Sequence, residues 1–490
     1  MLRVVVALCL AALAAPAAAL QVTRVRVPKV VKLSDRRITR PVRTLVTVRN
    51  ETSEAVTWPD AAALATDLGI TATPGAGDLV CPALVPEIAR ALRFPVTLRP
   101  GRRRQVAYRL TITCGPVPGP GTDFTIAARG TSAALDVVDR RASTAFQRPG
   151  RYAVGTTKMT LVDASRPTMP NGSYPGAPDR TLPTLVWYPA DAAGADVPVA
   201  TDGAPFPFVV FSHGLGSPAD QSARYTAHLA SHGYVVIAPA YPLSRLGAQD
   251  HAQIADIPNQ AGDVSFLIDR FLALSTAPTG PLSRAIDGER IAATGHSNGG
   301  LTTLVATYDA VVRDPRIKAA IPLSPPSCFL QPGYFGSVAV PLLVLHGDND
   351  LLAPFASHGL VTYERANAPK SLVRVRNGNH VGFADFGTSV DDLQICAFLP
   401  PPGQFAADSL ALLQNMGGAA NHVTLDGCGA SLGLCQGDPR HIDGARQEQI
   451  AKQTATAFLD ALFRGDQVAA RYLYEELAVT SPDLIHDFAP

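Results

Sequence analysis

From about residue 155 to the end of the chain, short uninterrupted apolar runs alternate with stretches whose apolar positions recur at helical spacing. "TLPTLVWYPA", "PFPFVVFSHG", "YVVIAPAY", "RIAATGHS", "IKAAIPLSP", "VPLLVLHGDND" and "SLVRVRNGNH" predict strands. Several of these are continuously apolar, as strands covered on both faces must be. "ADQSARYTAHLASHG", "QAGDVSFLIDRFLALS", "GGLTTLVATYDAVV" and "FASHGLVTYERANA" predict helices between them. The amphipathic "RQEQIAKQTATAFLDALFRG" predicts a last helix packed back on the sheet. Strands alternating with helices imply an α/β domain with a doubly wound, mostly parallel sheet over about residues 150–480.

Residues 21–148 follow a different pattern. "RTLVTVRN", "FPVTLRPG", "RQVAYRLTITC" and "TDFTIAARG" are strand-like runs separated by turn residues at short intervals. They predict a smaller all-β sandwich of the immunoglobulin-like kind, joined to the second domain through "FQRPGRYAVG".

The first twenty residues, "MLRVVVALCLAALAAPAAAL", read as a cleaved secretory signal: an early Arg, an apolar stretch and a small-residue end. A secreted or periplasmic protein is therefore expected. The apolar core of this segment is short and Ala-rich for a permanent span, and no other run approaches the length a membrane helix needs. Of the 7 cysteines, Cys9 lies within the signal. Cys81, Cys114, Cys328, Cys396, Cys428 and Cys435 remain, an even set that in an exported chain predicts three disulfides. With 42 basic against 41 acidic side chains and a formal net charge of +1, no global field favours nucleic acid or anionic membranes. Arg102, Arg103 and Arg104, the one notable basic cluster, follow a turn and read as solvated.

Gly-x-Ser-x-Gly occurs twice, at Ser297 in "ATGHSNGGLTTLVATY" and at Ser431 in "GCGASLGLCQG". A nucleophilic serine needs a buried strand before it, a tight glycine turn around it and a helix directly after it. Ser297 has all three. Ser431 has no room for a helix and sits between Cys428 and Cys435, a structural position. A serine hydroxyl also needs a base, and the base a carboxylate, with the chain order Ser, acid, His in this class of sheet. Of the histidines after the candidate acid (His358, His380, His422, His441 and His486), only His380 directly follows a predicted strand. His422 and His441 are the next candidates. "LLVLHGDNDLLAP" offers Asp348 and Asp350 as acid, with Asp350 favoured. A metal cluster of His346, Asp348 and Asp350 is the rival reading, disfavoured because neighbouring side chains at a strand end point apart. The oxyanion needs two N–H groups. Asn298 supplies one, and the loop in "FVVFSHGLGSP" the other, assigned to Leu215 with Gly214 as the alternative. His213 in that loop reads as a brace. No metal or cofactor is required.

"FSHGLG", "LASHGYVVIAPAYP", "GHSNGG", "HGDNDLLAP" and "GNHVGF", in this order and spacing, resemble the α/β-hydrolase superfamily. The resemblance is to dienelactone-hydrolase-like proteins related to platelet-activating-factor acetylhydrolase and to bacterial cutinase-like polyester hydrolases, over roughly 150–475. It implies Ser297 as nucleophile, Asp350 as acid, His380 as base, and Leu215 with Asn298 as oxyanion hole. Three departures stand beside it. The acetylhydrolase branch places its acid after the strand "AAIPLSPPSC", where this chain has Ser324. The cutinase branch carries a tryptophan-bearing loop that "PPSCF" does not reproduce. Dienelactone hydrolases proper use cysteine where this chain has serine.

The expectation is an exported serine esterase acting on a small-molecule, lipid or polymeric ester. An amidase or peptidase with the same triad, and a non-catalytic binding protein with a relic hydrolase fold, are the alternatives. Cys328 and Cys396 both lie on loops at the catalytic face and are expected to pair. Cys428 with Cys435 then close a small loop, and Cys81 with Cys114 lie in the sandwich. Segment 386–442 has no place in the minimal sheet and is expected to form a rim or lid.

Overall fold

A computed structural model describes residues 20–33, 39–75, 81, 87–88, 92–114, 122–139, 145–336, 338–397, 401–426, 428, 435 and 440–490. The signal segment through residue 19 and Ser431 lie outside the described residues. The chain divides into two compact units, Met1–Thr144 and Ala145–Pro490.

The first unit contains two four-stranded sheets and a short strand pair. Strands Thr39–Asn50 and Arg103–Thr113 pair antiparallel, and along both the burial alternates residue by residue. That alternation is the period of two of a sheet with one face on a core. Val46, Val48, Val106, Tyr108 and Leu110 from this sheet share a buried cluster with Phe124, Ile126, Leu135 and Val137 from the other. Cys81 is bonded to Cys114, as expected.

The second unit is built on a ten-stranded sheet. Its order is Gly194–Ala195, Ala153–Asp163, Arg180–Ala190, Val235–Pro239, Phe206–Ser212, Ile286–His296, Ile317–Leu323, Leu342–Gly347, Lys370–Val375 and Leu484–Ala489. The strands from Val235–Pro239 to Lys370–Val375 are parallel; Ala153–Asp163 with Arg180–Ala190, and Leu484–Ala489 at the far side, are antiparallel additions. Ala153–Asp163, Gly194–Ala195 and Leu484–Ala489 carry no continuous apolar run and fall outside the strands that the apolar pattern predicts.

Successive residues of each central strand enter opposite layers. Phe208, Val210, Ile291, Ala293 and Val344 meet helices Ile257–Thr276 and Asn298–Tyr308. Val209, Phe211, Ala292, Ile321 and Leu345 meet helices Ala223–Ser231 and Gly444–Arg464. The sheet is thus covered on both faces, which is why these strands read as continuous apolar runs. Arg180, wholly buried, bonds Asp256 and Asp263 and fastens its strand to helix Ile257–Thr276.

Two expected disulfides are wrong. Cys328 bonds Cys428, 100 residues away, and Cys396 bonds Cys435, 39 residues away; neither Cys328–Cys396 nor Cys428–Cys435 forms. The described residues of segment 386–442 pack at two places, beside Leu330 and beside Leu351. Leu330 and Val423 form an antiparallel bridge, with Gln331 N–H donating to His422 and Thr424 N–H to Phe329, and this brings Cys428 beside Cys328. The short helix Asp392–Cys396 stays near the catalytic loops, where Cys435 N–H donates to the Leu351 carbonyl. Between them, helix Pro402–Asn415 packs Leu412 and Leu413 into the same buried cluster as Leu330.

Candidate active site

Strand Ile286–His296 runs into Ser297 at φ 55° and ψ −119°, and helix Asn298–Tyr308 starts at the next residue. A side chain in this backbone region is strained and needs support from its surroundings. The support is close backbone packing. A Cβ on Gly299 would lie 1.9 Å from the Ser212 carbonyl oxygen, and one on Gly295 would lie 2.4 Å from that of Gly299. Ser297 N–H donates to Leu323 of the adjoining strand at 2.8 Å. The glycines thus allow the turn to sit against the neighbouring strands.

Ser297 Oγ lies 2.8 Å from His380 Nε2, and His380 Nδ1 lies 2.8 Å from Asp350 Oδ2. Asp350 follows strand Leu342–Gly347 and His380 follows Lys370–Val375, so all three side chains sit at the carboxyl ends of parallel strands. Asp350 Oδ1 also accepts the N–H groups of Leu352 and Ala353, and His346 Nε2 lies 3.3 Å from its Oδ2. Burial alone would raise the Asp350 pKa, but His380 and His346 outweigh it and hold the group well below the usual carboxylate range. Burial would lower His380, yet Asp350, its hydrogen bond and the charge of Asp392 leave the imidazole above its ordinary value.

Asp348, the other candidate acid, points away. Its carboxylate accepts the Asn377 N–H at 2.6 Å and faces Arg374 at 3.6 Å. His422 packs on Gly333 and His441 contacts the Ile442 carbonyl. His358 Nδ1 accepts the N–H groups of Ser327 and Cys328, and burial pushes its pKa down to about 3. Ser324 directly follows its strand, and its buried hydroxyl has no hydrogen-bond partner among the described residues.

The Gly214 N–H is engaged by Gln221 Oε1 at 2.6 Å, whereas the N–H groups of Leu215 and Asn298 enter no hydrogen bond among the described residues. Asn298 is also the first residue of its helix, where backbone donors have no intrahelical partner. His213 braces the loop: its Nδ1 contacts the Gly214 carbonyl at 2.8 Å and its Nε2 accepts the Tyr241 N–H at 3.2 Å.

Sequence reasoning missed three supporting residues. His296 Nε2 contacts the His380 carbonyl at 2.8 Å, while its Nδ1 accepts from Gln221. Gln221 in turn holds Gly214, so one relay joins His380, the strand before Ser297 and the glycine loop. Burial keeps His296 neutral, with a pKa near 3. The signal for His296 was its place beside Ser297. The third residue is Asp392, whose carboxylate accepts the N–H groups of Leu351, His380 and Val381, and nothing local in "DDLQIC" marks it.

Residues 185–398, which enclose Ser297, Asp350 and His380, match the PET hydrolase-like family. The chain is 29% identical over 175 residues to cutinase est1 of Thermobifida alba, covering 35% of this chain and 52% of that protein. Over these residues the chain is similar to cutinase-like polyester hydrolases. It is also 28% identical over 185 residues to a bis(hydroxyethyl) terephthalate hydrolase of Streptomyces coelicolor, covering 37% of this chain and 53% of that protein. The chain spans about half the length of these curated relatives. A solved ferulic acid esterase from Streptomyces cinnamoneus superposes with a TM-score of 0.44 and 21% identity, over 69% of this chain and 96% of that one.

Proposed function

We propose that the protein is an exported serine hydrolase that cleaves carboxylic esters through an acyl-enzyme. The observation that carries this reading is the unbroken hydrogen-bonded line from Ser297 through His380 to Asp350. Ser297 Oγ attacks the ester carbonyl while His380 Nε2 takes its proton. Asp350 holds the Nδ1–H tautomer and stabilises the imidazolium. The N–H groups of Leu215 and Asn298 receive the oxyanion, and His380 returns the proton to the leaving alcohol. Water then repeats the sequence on the acyl-enzyme. The reaction calls for no cofactor.

The names of the relatives point to polyester or cutin-type esters as the substrate class. Three disulfides support export, and among the described residues no helix is long and apolar enough to cross a membrane. In this reading residues 150–480 form the catalytic domain, residues 21–148 an accessory β domain, and 386–442 a rim beside the cleft. Fluorophosphonate labelling followed by a chain-length series of nitrophenyl esters, with matched anilides, tests it. Label on Ser297 and faster ester than anilide turnover are expected. Label on Ser431, or anilide preference, would overturn it.

A further inference from the structure

We infer that Asp392 is a positioning residue: its buried carboxylate ties the loop carrying Asp350 to the loop carrying His380 and thereby sets how His380 meets Ser297. The inference rests on the reading of Ser297, His380 and Asp350 as a catalytic triad. Asp392 is 3% exposed. Its Oδ2 accepts from Leu351 N–H at 3.0 Å and from His380 N–H at 2.9 Å, and its Oδ1 accepts from Val381 N–H at 3.1 Å. Leu351 directly follows the acid, and His380 is the base itself. One side chain therefore takes up backbone donors from both catalytic loops.

The same root of segment 386–442 is fastened twice more. Asp392 begins the short helix that ends at Cys396, Cys396 is bonded to Cys435, and Cys435 N–H donates to the Leu351 carbonyl at 2.7 Å. Leu351 is thus gripped through its N–H by Asp392 and through its C=O by Cys435. This arrangement gives the segment a task at its base that a lid does not require.

Its charge also matters. Burial raises the Asp392 pKa, and the nearby Asp350 raises it further, while His380 and the donated N–H groups lower it. A second carboxylate beside the acid is electrostatically unfavourable there, yet a carboxylate accepts all three N–H groups on its two oxygens, whereas an amide would turn its NH2 toward one of them. What the charge adds is a field at His380, whose raised pKa includes a contribution from Asp392. The other titratable groups around the pair are His296, with ring centroids 4.9 Å from His380, His346 at Asp350, and the buried His358, which interacts electrostatically with both Asp350 and His380. Asp391 and His441 line the same crevice as Asp392.

The test compares the full chain with Asp392→Asn, reading kcat and KM on p-nitrophenyl butyrate across pH and the imidazole titration of His380 by NMR. An amide oxygen can keep two of the N–H bonds, but its NH2 faces the third donor and the charge is gone. The expected result is a kcat lowered by about 10-fold to 100-fold with KM within about threefold, and an acid limb and His380 titration both displaced to lower pH. A folded Asp392→Asn with both in the wild-type position would overturn the inference. If Asp392→Asn does not fold, Asp392→Glu serves: the wild-type limb with lowered kcat is expected, and an unchanged kcat would overturn it. Failure of the triad reading is distinguishable, because wild type would then neither turn over nor take a fluorophosphonate label, while the NMR titration would still report on Asp392.

Discussion

The turn that carries Ser297 is made of contiguous chain: strand Ile286–His296, the serine, and helix Asn298–Tyr308 follow one another without a gap. Asp350 and His380 are 30 residues apart and depend on Asp392, Cys396 and Cys435 from a segment beyond both. Ser297 is thus positioned locally, by glycines that let backbone meet backbone. Asp350 and His380 are positioned at a distance, by a carboxylate and a cross-link. The two arrangements should fail in different ways.

The largest effect should come from the nucleophile. Ser297→Ala is expected to lower ester turnover by about 10⁴-fold to 10⁶-fold while melting like wild type, checked by kinetics and circular dichroism. Loss of cooperative melting would mean that the turn depends on the hydroxyl as well as on the glycines. Next, Asp350→Asn should cost about 10⁴-fold in kcat, because the amide can stabilise the wrong imidazole tautomer. Asp348→Asn should stay within a few-fold, since Asp348 answers to Asn377 and Arg374. Equal losses would erase the distinction between the two acids.

Local and distant positioning also differ in how legible they are in the amino-acid sequence. The strand–serine–helix succession, the paired Asp348 and Asp350, and His380 after a strand are short-range patterns, and the geometry joins Ser297, His380 and Asp350. The central apolar runs became strands because burial on both faces writes itself into nearly every position, as in Phe206–Ser212, Val235–Pro239 and Leu342–Gly347. Strands Ala153–Asp163 and Leu484–Ala489 have partly exposed faces and mixed polarity, so no run marks them. The Cys328–Cys428 and Cys396–Cys435 bonds depend on which distant residues Cys428 and Cys435 meet, and spacing along the chain carries no such information. Asp392 is hidden for the same reason: its partners are backbone groups from loops far away in sequence.

The disulfides sharpen the comparison. Chain-entropy estimates give about 4.7 kcal/mol for the longer bridge and about 4 kcal/mol for the shorter. Cys328→Ser and Cys428→Ser should lower Tm equally, as should Cys396→Ser and Cys435→Ser, but only the second pair should also reduce kcat, through Leu351. Calorimetry with parallel kinetics decides it, and unequal Tm within a pair would contradict the pairing. Gly299→Ala should destabilise by about 1–3 kcal/mol, its Cβ being 1.9 Å from a carbonyl oxygen; a melting temperature unchanged from wild type would show that the turn relaxes.

The smallest effect is that of pH. A general base must be neutral, and the His380 pKa lies above its ordinary 6.5. The rate should therefore fall as pH drops through a value above 6.5, visible in kcat/KM, and a limb below 6.5 would contradict the electrostatic picture of the acid–base pair.

The strand Lys370–Val375 that leads to His380 is not the outermost of its sheet. Leu484–Ala489 pairs along its whole length, from Lys370 with Ala489 to Val375 with Leu484. Without those 6 residues, a buried strand would present a free row of N–H and C=O groups, which is a template for another copy of the same chain. The catalytic geometry would stand, but the molecules would associate edge to edge. What the terminal strand protects is thus the solubility of the folded protein, and its loss would first be seen as light scattering.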